Sequence, residues 1–205
     1  PISMQWDDKK IKDQVRIIKK KFFTEYDRAK KVVYLSLYGG TPFLIFHNSA
    51  GVFSSIKQCQ DLQNMFFSTL GKKLKAWQRS VLELAHKQCY LENPFGHRHY
   101  FWDVLNSKGY MGSQAKDALA YPAQSTASSI YKQVMVSLRP EITQYLRAPI
   151  HDELLFELPE GRTDYIEEII AEMQKPIPQL TSSDYPDGLT IGVEWASGKK
   201  WGEID

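Results

Sequence analysis

Residues 150–157 read IHDELLFE, in which the polar pair His151-Asp152 separates an apolar run ending at Ile150 from the apolar residues after Glu153. Two short extended runs joined by a tight polar connection are typical of a β-hairpin. Carboxylates at its tip can bind a divalent cation through oxygen. Because adjacent side chains of an extended chain point to opposite faces, one acid is expected to serve a given metal, and Asp152 is the better candidate. The alternative is a turn aspartate that bonds its own backbone.

A second chemical signal lies in residues 26–38, whose apolar and aromatic residues recur at helical spacing and which a Gly-Gly pair at 39–40 ends. Lys30, Tyr34 and Tyr38 follow one another at intervals of four and therefore share one face of this helix. A lysine can hold a phosphate, and aromatic rings can stack on a sugar or base. The face suits a nucleotide, and the alternative is a core stripe whose lysine reaches solvent.

The remaining periodicities predict an α+β chain. Apolar residues at helical spacing predict two long helices between about 55 and 91, with Gly71 as the break. The other expected elements are a basic amphipathic helical segment in the first thirty residues, irregular structure or a short hairpin at 93–112, a helix at about 124–138 ended by Pro140, an amphipathic helix at 163–174 and a final strand at 189–194.

Composition and charge narrow the function. The chain has 205 residues, of which 42% are hydrophobic, so it can bury a core and is neither fibrous nor fully disordered. Its apolar stretches are far shorter than the roughly 18 residues of a membrane span, so we expect a soluble chain with no membrane partner. The two cysteines lack metal-ligand spacing, which fits a reducing compartment.

The net charge of +2 conceals a basic half and an acidic half. Residues 1–110 contain 18 Lys and Arg against 9 Asp and Glu, whereas residues 111–205 contain 8 against 15. Such a division suggests a polyanionic partner for the first half and a cation site in the second. Ordinary solvated surface is the alternative.

Taken together, five segments in the same order resemble the C-terminal part of a family A DNA polymerase, the bacterial DNA polymerase I type. They are Lys30 with Tyr38-Gly39 (similar to motif B), 96–101 (the Gly-Arg-Arg segment after the fingers), 121–127 (the Asn-x-Pro-x-Gln-Gly stretch that opens a palm helix), 150–157 (motif C) and 192–203 (the closing strand and Gly-x-x-Trp). The resemblance implies an α+β fold with helical fingers at 1–100 and a partial antiparallel-sheet palm of a right-hand polymerase at 101–205.

For the nucleotide, the resemblance implies that Lys30 holds the triphosphate and takes part in catalysis. Lys31 is a further candidate cation there. Tyr34 would lie near the incoming sugar, and Tyr38 would pack against the templating pair. One departure bears on this site: Tyr26 stands where the family has an arginine four residues before the lysine.

For the DNA and the metal, the resemblance implies that Gln124, Lys116 and Arg98 contact the primer-template duplex and that His151 supports the primer terminus. Asp152 would bind Mg²⁺, of which two ions are expected, and Glu153 would be a nearby acid of lesser importance. Ala120 stands where the family has an asparagine, so one of its template or primer contacts is not expected here.

Motif A, which bears the family's other metal-binding aspartate, has no counterpart in these residues, nor has the thumb. We therefore expect template-directed DNA synthesis from dNTPs only together with that segment, in a longer protein or a second chain. The alternatives are a fragment of a single-subunit RNA polymerase and a non-catalytic nucleic-acid-binding remnant. The expected location is cytoplasmic or nucleoid-associated, in a bacterial or viral system or an organelle.

Overall fold

The computed structural model describes residues 23–49, 51–69 and 71–200. They separate into two compact units. The first contains the described residues up to Leu91 together with His99–Tyr121, and the second contains Glu92–Arg98 together with those from Pro122 onward. Most of the basic segment at the start of the chain, and the Trp-Gly pair of the closing motif, lie outside the described residues.

Four helices open the first unit. They are α1 (Phe23–Leu37), α2 (Pro42–His47), α3 (Ile56–Thr69) and α4 (Gly71–Gln88). Side-chain caps explain two of the starts: the Thr41 hydroxyl accepts a hydrogen bond from the Leu44 N–H at 3.3 Å before α2, and the Ser55 hydroxyl accepts one from the Gln58 N–H at 3.2 Å before α3. The predicted helix before the glycine pair and the two long helices are confirmed. No described helix is long and apolar enough to cross a membrane.

Two apolar clusters hold this unit together. One lies among α1, α2 and α3 and is built from Val32, Ile45, Phe53 and Cys59. The other joins α4 to the residues around 101–119 and is built from Val81, Leu82, Ala85, Leu91, Phe101, Val104, Ala115, Ala118 and Leu119. Burial of each large apolar side chain contributes roughly 1.5–3 kcal/mol to stability. These contacts hold the buried side of α1, and its opposite side faces solvent.

A short hairpin follows α4. It is one of the two alternatives, irregular structure or a short hairpin, that the sequence predicted for this stretch. Its strands are β1 (Tyr90–Glu92) and β2 (Arg98–Tyr100). The turn between them is organised by Asn93, whose side-chain oxygen accepts hydrogen bonds from the N–H groups of Phe95 and His97, each at 3.0 Å. An asparagine that bonds the backbone two residues on favours such a turn.

The next helix begins earlier than the sequence predicted. α5 covers Ala115–Ser137, and Pro122 lies within it. The sequence predicted a start near residue 124. A proline lacks the N–H that bonds the carbonyl four residues back and usually ends a helix. Ala118 and Leu119 before the proline are at most 1% exposed, so tertiary packing keeps this turn helical despite the lost bond.

The second unit contains the predicted hairpin and the predicted amphipathic helix. Its elements after α5 are α6 (Pro140–Thr143), β3 (Leu146–Ile150), β4 (Glu153–Phe156) and α7 (Thr163–Met173). β3 and β4 pair antiparallel, and the register runs from Leu146 opposite Phe156 to Ile150 opposite Glu153. The core beneath the hairpin consists of Leu138, Ile142, Tyr165 and Ile169, with Tyr145 and Phe156 packed against it.

The predicted strand at 189–194 is wrong for the described chain. Leu189 forms a single antiparallel bridge with Ile177, and residues 190–194 form no ladder. A strand exists where its N–H and C=O groups pair with a neighbour. The alternation of apolar residues shows a β preference, but the described residues supply one bridging partner and no neighbouring strand.

Candidate active site

The predicted nucleotide-binding face lies on the exposed side of α1. Lys30 is exposed, Tyr34 is 54% exposed, and the Lys30 Nζ lies 5.9 Å from the centroid of the Tyr34 ring. Tyr38 follows the helix and is half-buried. The alternative of a core stripe does not hold for Lys30 and Tyr34, because both side chains face solvent. A cation beside an exposed ring is available to an anionic ligand that carries a sugar or base.

The other two cations of α1 are already engaged within the chain. Lys31 Nζ lies 3.8 Å from Asp27 Oδ2, and both side chains are about one-third exposed. The Arg28 Nε donates to the Val52 carbonyl at 2.7 Å. Lys30 is therefore better placed than Lys31 to bind a phosphate.

Two glutamine side chains fix the C-terminal end of α1. Gln63 of α3 donates to the Ser36 hydroxyl at 3.0 Å and to the Gly40 carbonyl at 2.7 Å. Gln78 of α4 donates to the carbonyls of Ser36 and Leu37, each at 2.8 Å. The last carbonyls of a helix have no partner within it, so the Gln78 amide satisfies two of them, and the Gln63 amide bonds the carbonyl of Gly40 just beyond the helix. Neither glutamine was predicted from the sequence, although an amide within an apolar helical stripe was an available signal.

The glycines after Tyr38 are required by space. Gly39 has φ +74°, and a Cβ there would lie 2.9 Å from Leu119 Cδ1. A Cβ on Gly40 would lie 2.6 Å from the Leu35 carbonyl oxygen. Glycine alone adopts the left-handed conformation without steric cost. The Tyr-Gly-Gly sequence therefore ends α1 and fixes the position at which Tyr38 leaves the helix.

The predicted acidic site is the two-residue turn between β3 and β4. Ile150 and Glu153 form the last pair of the ladder, and His151 and Asp152 connect them. His151 has φ +52°, a left-handed conformation that is uncommon outside glycine. The side chains of His151, Asp152 and Glu153 are all exposed. The structure thus brings the three polar residues of the motif together at one solvent-facing tip.

One residue that was not predicted from the sequence contacts this turn. Tyr131 of α5 is half-buried, and its hydroxyl donates a hydrogen bond to the Glu153 carbonyl. Burial raises the pKa of the Tyr131 phenol and outweighs a backbone hydrogen bond with Ile150, which lowers it; the nearby negative charges of Asp152 and Glu153 raise the pKa further. The phenol therefore stays protonated and remains a donor at neutral pH.

The turn fits part of a magnesium site. Mg²⁺ prefers carboxylate, phosphate and water oxygens in octahedral geometry. Asp152 and Glu153 supply exposed carboxylates, but no group of three or more His, Cys, Asp or Glu side chains in the described ranges is arranged to hold a metal. The donor set suits the ion, and further ligands have to come from a substrate, water or other residues.

The predicted DNA-contacting residues are exposed at separate places. Lys116 and Gln124 lie on α5, the first within one compact unit and the second within the other. The Arg98 guanidinium pairs with Glu92 across the β1–β2 hairpin, and 54% of its side chain remains exposed. No observation tests their roles, which stay predictions.

A buried polar contact supports the turn that precedes Arg98. The Asn93 side-chain amide donates to the Ser129 hydroxyl of α5 at 2.9 Å, and that hydroxyl donates to the Ser125 carbonyl at 2.9 Å. Asn93 and Ser129 are 4% and 7% exposed. Because a buried polar group is costly without a partner, this pair fixes the hairpin to the helix that also bears Gln124.

Comparison with known proteins connects these local features. The family model for DNA polymerase family A matches residues 11–203. A thermostable DNA polymerase I of Thermus thermophilus is 32% identical over 133 residues, covering 62% of this chain and 16% of that protein. DNA polymerase I of Deinococcus radiodurans is 25% identical over 179 residues, covering 85% of this chain and 18% of that protein.

A solved structure shows the same likeness. The POL domain of Pol1 from M. smegmatis, in complex with DNA primer-template and dNTP, matches with a TM-score of 0.58 and 25% identity over 72% of this chain and 26% of that chain. The chain thus spans less than one fifth of these two curated relatives. The α+β fold of a right-hand polymerase with fingers and palm is confirmed, and the chain belongs to family A of the DNA polymerases.

Proposed function

We propose that this chain forms the fingers, residues 1–100, and the C-terminal part of the palm, residues 101–205, of a template-directed DNA polymerase. Its reaction is nucleotidyl transfer from a dNTP to the 3′-hydroxyl of a primer. The observation that carries the proposal is an exposed Lys-Tyr face on α1 in a family A chain whose β3–β4 turn exposes two carboxylates. Phosphoryl transfer needs cationic and acidic groups on opposite sides of the reacting phosphate.

On the cationic side, Lys30 binds the triphosphate and neutralises charge on the departing pyrophosphate. Tyr34, one helical turn later, lies beside the sugar, and Tyr38 packs against the templating base pair. Lys31 is a secondary contact, because it has to leave Asp27 first. The glutamine contacts at the end of α1 hold this face in a fixed geometry, which lowers the entropic cost of ordering the nucleotide.

On the acidic side, Asp152 holds Mg²⁺ with a lesser contribution from Glu153, and His151 supports the primer terminus. Two bound magnesium ions would activate the primer hydroxyl and neutralise the triphosphate. Gln124, Lys116 and Arg98 contact the duplex and hold the primer end in register. A protein with this substrate is expected to be cytoplasmic or nucleoid-associated, or to act in an organelle.

A segment with the second metal-binding aspartate completes the site in this proposal. It belongs either to the same longer protein or to a second chain, together with the thumb. The small share of the curated relatives that the chain spans supports this division. The family match favours DNA synthesis over the RNA polymerase alternative.

DNA binding by the 205-residue chain tests the proposal directly. Fluorescence anisotropy with a labelled primer-template is expected to show weak binding that decreases as salt increases, because lysines release counterions from the phosphates. Two phosphate contacts predict about a tenfold loss between roughly 50 and 200 mM salt. Asp152→Asn serves as the control and should bind within a few-fold of the parent. Binding that is independent of salt, or no binding at all, would contradict the proposal.

A further inference from the structure

The contact between Tyr131 and the acidic turn lies at the residue where the turn closes. The Tyr131 hydroxyl donates to the backbone carbonyl of Glu153, and Glu153 is the ladder partner of Ile150. His151 and Asp152 are the two residues between them. A hydrogen bond to this carbonyl therefore restrains the backbone that carries the His151 and Asp152 side chains.

The turn needs such support for two reasons. Its first residue, His151, has the unfavourable φ of +52°, and left-handed non-glycine residues persist when the surroundings hold them there. Its strands, five and four residues long, pair only with each other in the described sheet. A two-stranded hairpin is marginally stable by itself.

The two ends of the hairpin are held by different means. At the open end, Tyr145 and Phe156 pack against the buried cluster that contains Tyr165, and the Glu157 N–H donates to the Tyr145 carbonyl at 2.9 Å. At the turn, by contrast, a side chain of α5 holds the backbone, because the Tyr131 hydroxyl donates a hydrogen bond to the Glu153 carbonyl. The core fixes where the hairpin starts, and the phenol fixes where its tip lies.

We propose that Tyr131 is a positioning residue of this polymerase, whose hydroxyl holds the His151–Asp152 turn in the geometry that nucleotidyl transfer requires. Its role in catalysis rests on the proposed function, whereas its hold on the turn does not. This role requires the Tyr131 hydroxyl and not only its aromatic ring, because the contact is a hydrogen bond to a backbone carbonyl. Tyr131 itself touches neither nucleotide nor primer in this proposal.

The hold on the turn is tested in the 205-residue chain by amide hydrogen exchange followed by NMR. Tyr131→Phe removes one oxygen and keeps the ring. We expect the amides of residues 150–154 to exchange roughly three to ten times faster, as loss of one neutral hydrogen bond predicts. Amides of α7 should be unchanged, and Tyr185→Phe, at a tyrosine that is 51% exposed, should change neither set.

Unchanged exchange at the turn would overturn the proposal. Equal acceleration in α7 would also overturn it, since the hydroxyl would then support the whole unit. A catalytic readout follows in the polymerase assembled with the segment that carries the second aspartate. There Tyr131→Phe should lower kcat about tenfold or more, since small misplacements of reacting groups are costly, and leave the KM for dNTP unchanged.

The two readouts separate the proposals. Faster exchange at the turn with an unaltered kcat would overturn the positioning role and leave the proposed function standing. An assembled parent protein without any polymerase activity would refute the proposed function, and with it the catalytic part of the role. The exchange result would still decide whether Tyr131 holds the turn.

Discussion

The two regions proposed to act on the nucleotide, the Lys30–Tyr34 face and the His151–Asp152 turn, are built in contrasting ways. The cationic face lies on α1, a helix of fifteen residues, where the 3.6-residue period sets which side chains are neighbours. The acidic tip is a turn of two residues, one of them in a left-handed conformation. The helix holds its side chains through its own backbone bonds, whereas the turn depends on contacts from other elements.

This difference determines how each region should respond to mutation. On α1, a side chain can be replaced while the backbone stays in place, because Gln63 and Gln78 hold the helix end independently of Lys30 and Tyr34. At the turn, chemistry and backbone geometry are less separable. Substitutions on α1 should therefore act only through the group that they remove, such as the dNTP contact of Lys30, whereas substitutions at the turn should also disturb the backbone and lower the rate of incorporation.

The largest effect is expected at Asp152. Asp152→Asn in the assembled polymerase should abolish nucleotide incorporation and leave DNA affinity within a few-fold, because it removes a metal-binding charge and preserves the size of the side chain. Rapid-quench primer extension in Mg²⁺ measures it. Glu160→Gln, at an exposed acid of the same unit, is the control and should have normal rates. Extension by Asp152→Asn near the parent rate would remove Asp152 from the site.

The next effect separates the two adjacent lysines of α1. Lys30→Met should weaken dNTP binding by roughly 10- to 100-fold, as expected for a lost hydrogen bond between charged groups. Lys31→Met should weaken it only a few-fold, because Lys31 already pairs with Asp27. The dNTP concentration dependence of single-nucleotide incorporation gives both values. Equal losses would show that the internal ion pair does not distinguish the two cations.

A smaller effect concerns the stability of the α1 end. Gln63→Ala should lower the free energy of unfolding by about 1–3 kcal/mol, since it leaves a buried hydroxyl and carbonyl without their donor. Gln63 is 7% exposed. Asn64→Ala, at the exposed neighbour on α3, should change it by only about 0.2–0.5 kcal/mol. Urea unfolding of the 205-residue chain compares them, and equal costs would mean that the buried amide does not fix the helix end.

The smallest effect concerns sugar selection by Tyr34. A phenol there can donate a hydrogen bond towards the triphosphate or the 3′ side of the sugar, so dideoxynucleotides should be accepted readily. Tyr34→Phe removes one donor, worth about 0.5–1.5 kcal/mol or more if a group is left unpaired, and should increase discrimination at least several-fold. Competition between each dideoxynucleotide and its normal counterpart measures the ratio. Identical ratios for both versions would show that the hydroxyl plays no part.

The features that the sequence predicted correctly are those set by neighbours along the chain. The end of α1 follows from a glycine pair, one member of which needs φ +74°, and the β3–β4 hairpin follows from apolar runs on either side of His151-Asp152. The glycine pair and the hairpin pattern each need only a few consecutive residues. The family assignment came from the resemblance of five ordered segments to family A.

The features that it missed depend on distant partners. Gln78 bonds a carbonyl 42 residues away, and the Tyr131 hydroxyl bonds one 22 residues away, so neither contact has a local pattern. The helical start before Pro122 depends on packing of the preceding turn, which overrides a strong local signal. The predicted closing strand failed for the opposite reason: its residues prefer extended structure, but the described part of the chain offers them one bridging residue and no strand to pair with.

The central proposal is that Lys30 and Asp152 both serve one nucleotidyl-transfer reaction, for which a segment with a second aspartate is also required. Templated primer extension measures it most directly, with the purified 205-residue chain tested alone and together with the polypeptide encoded upstream or co-purifying with it. The chain alone should be inactive, and the combination should extend the primer in Mg²⁺, with Asp152→Asn eliminating the activity. Extension by the chain alone, shown free of contaminating polymerase, would contradict the claim. An inactive combination in which both parts fold and bind DNA would contradict it too and would favour a non-catalytic nucleic-acid-binding remnant.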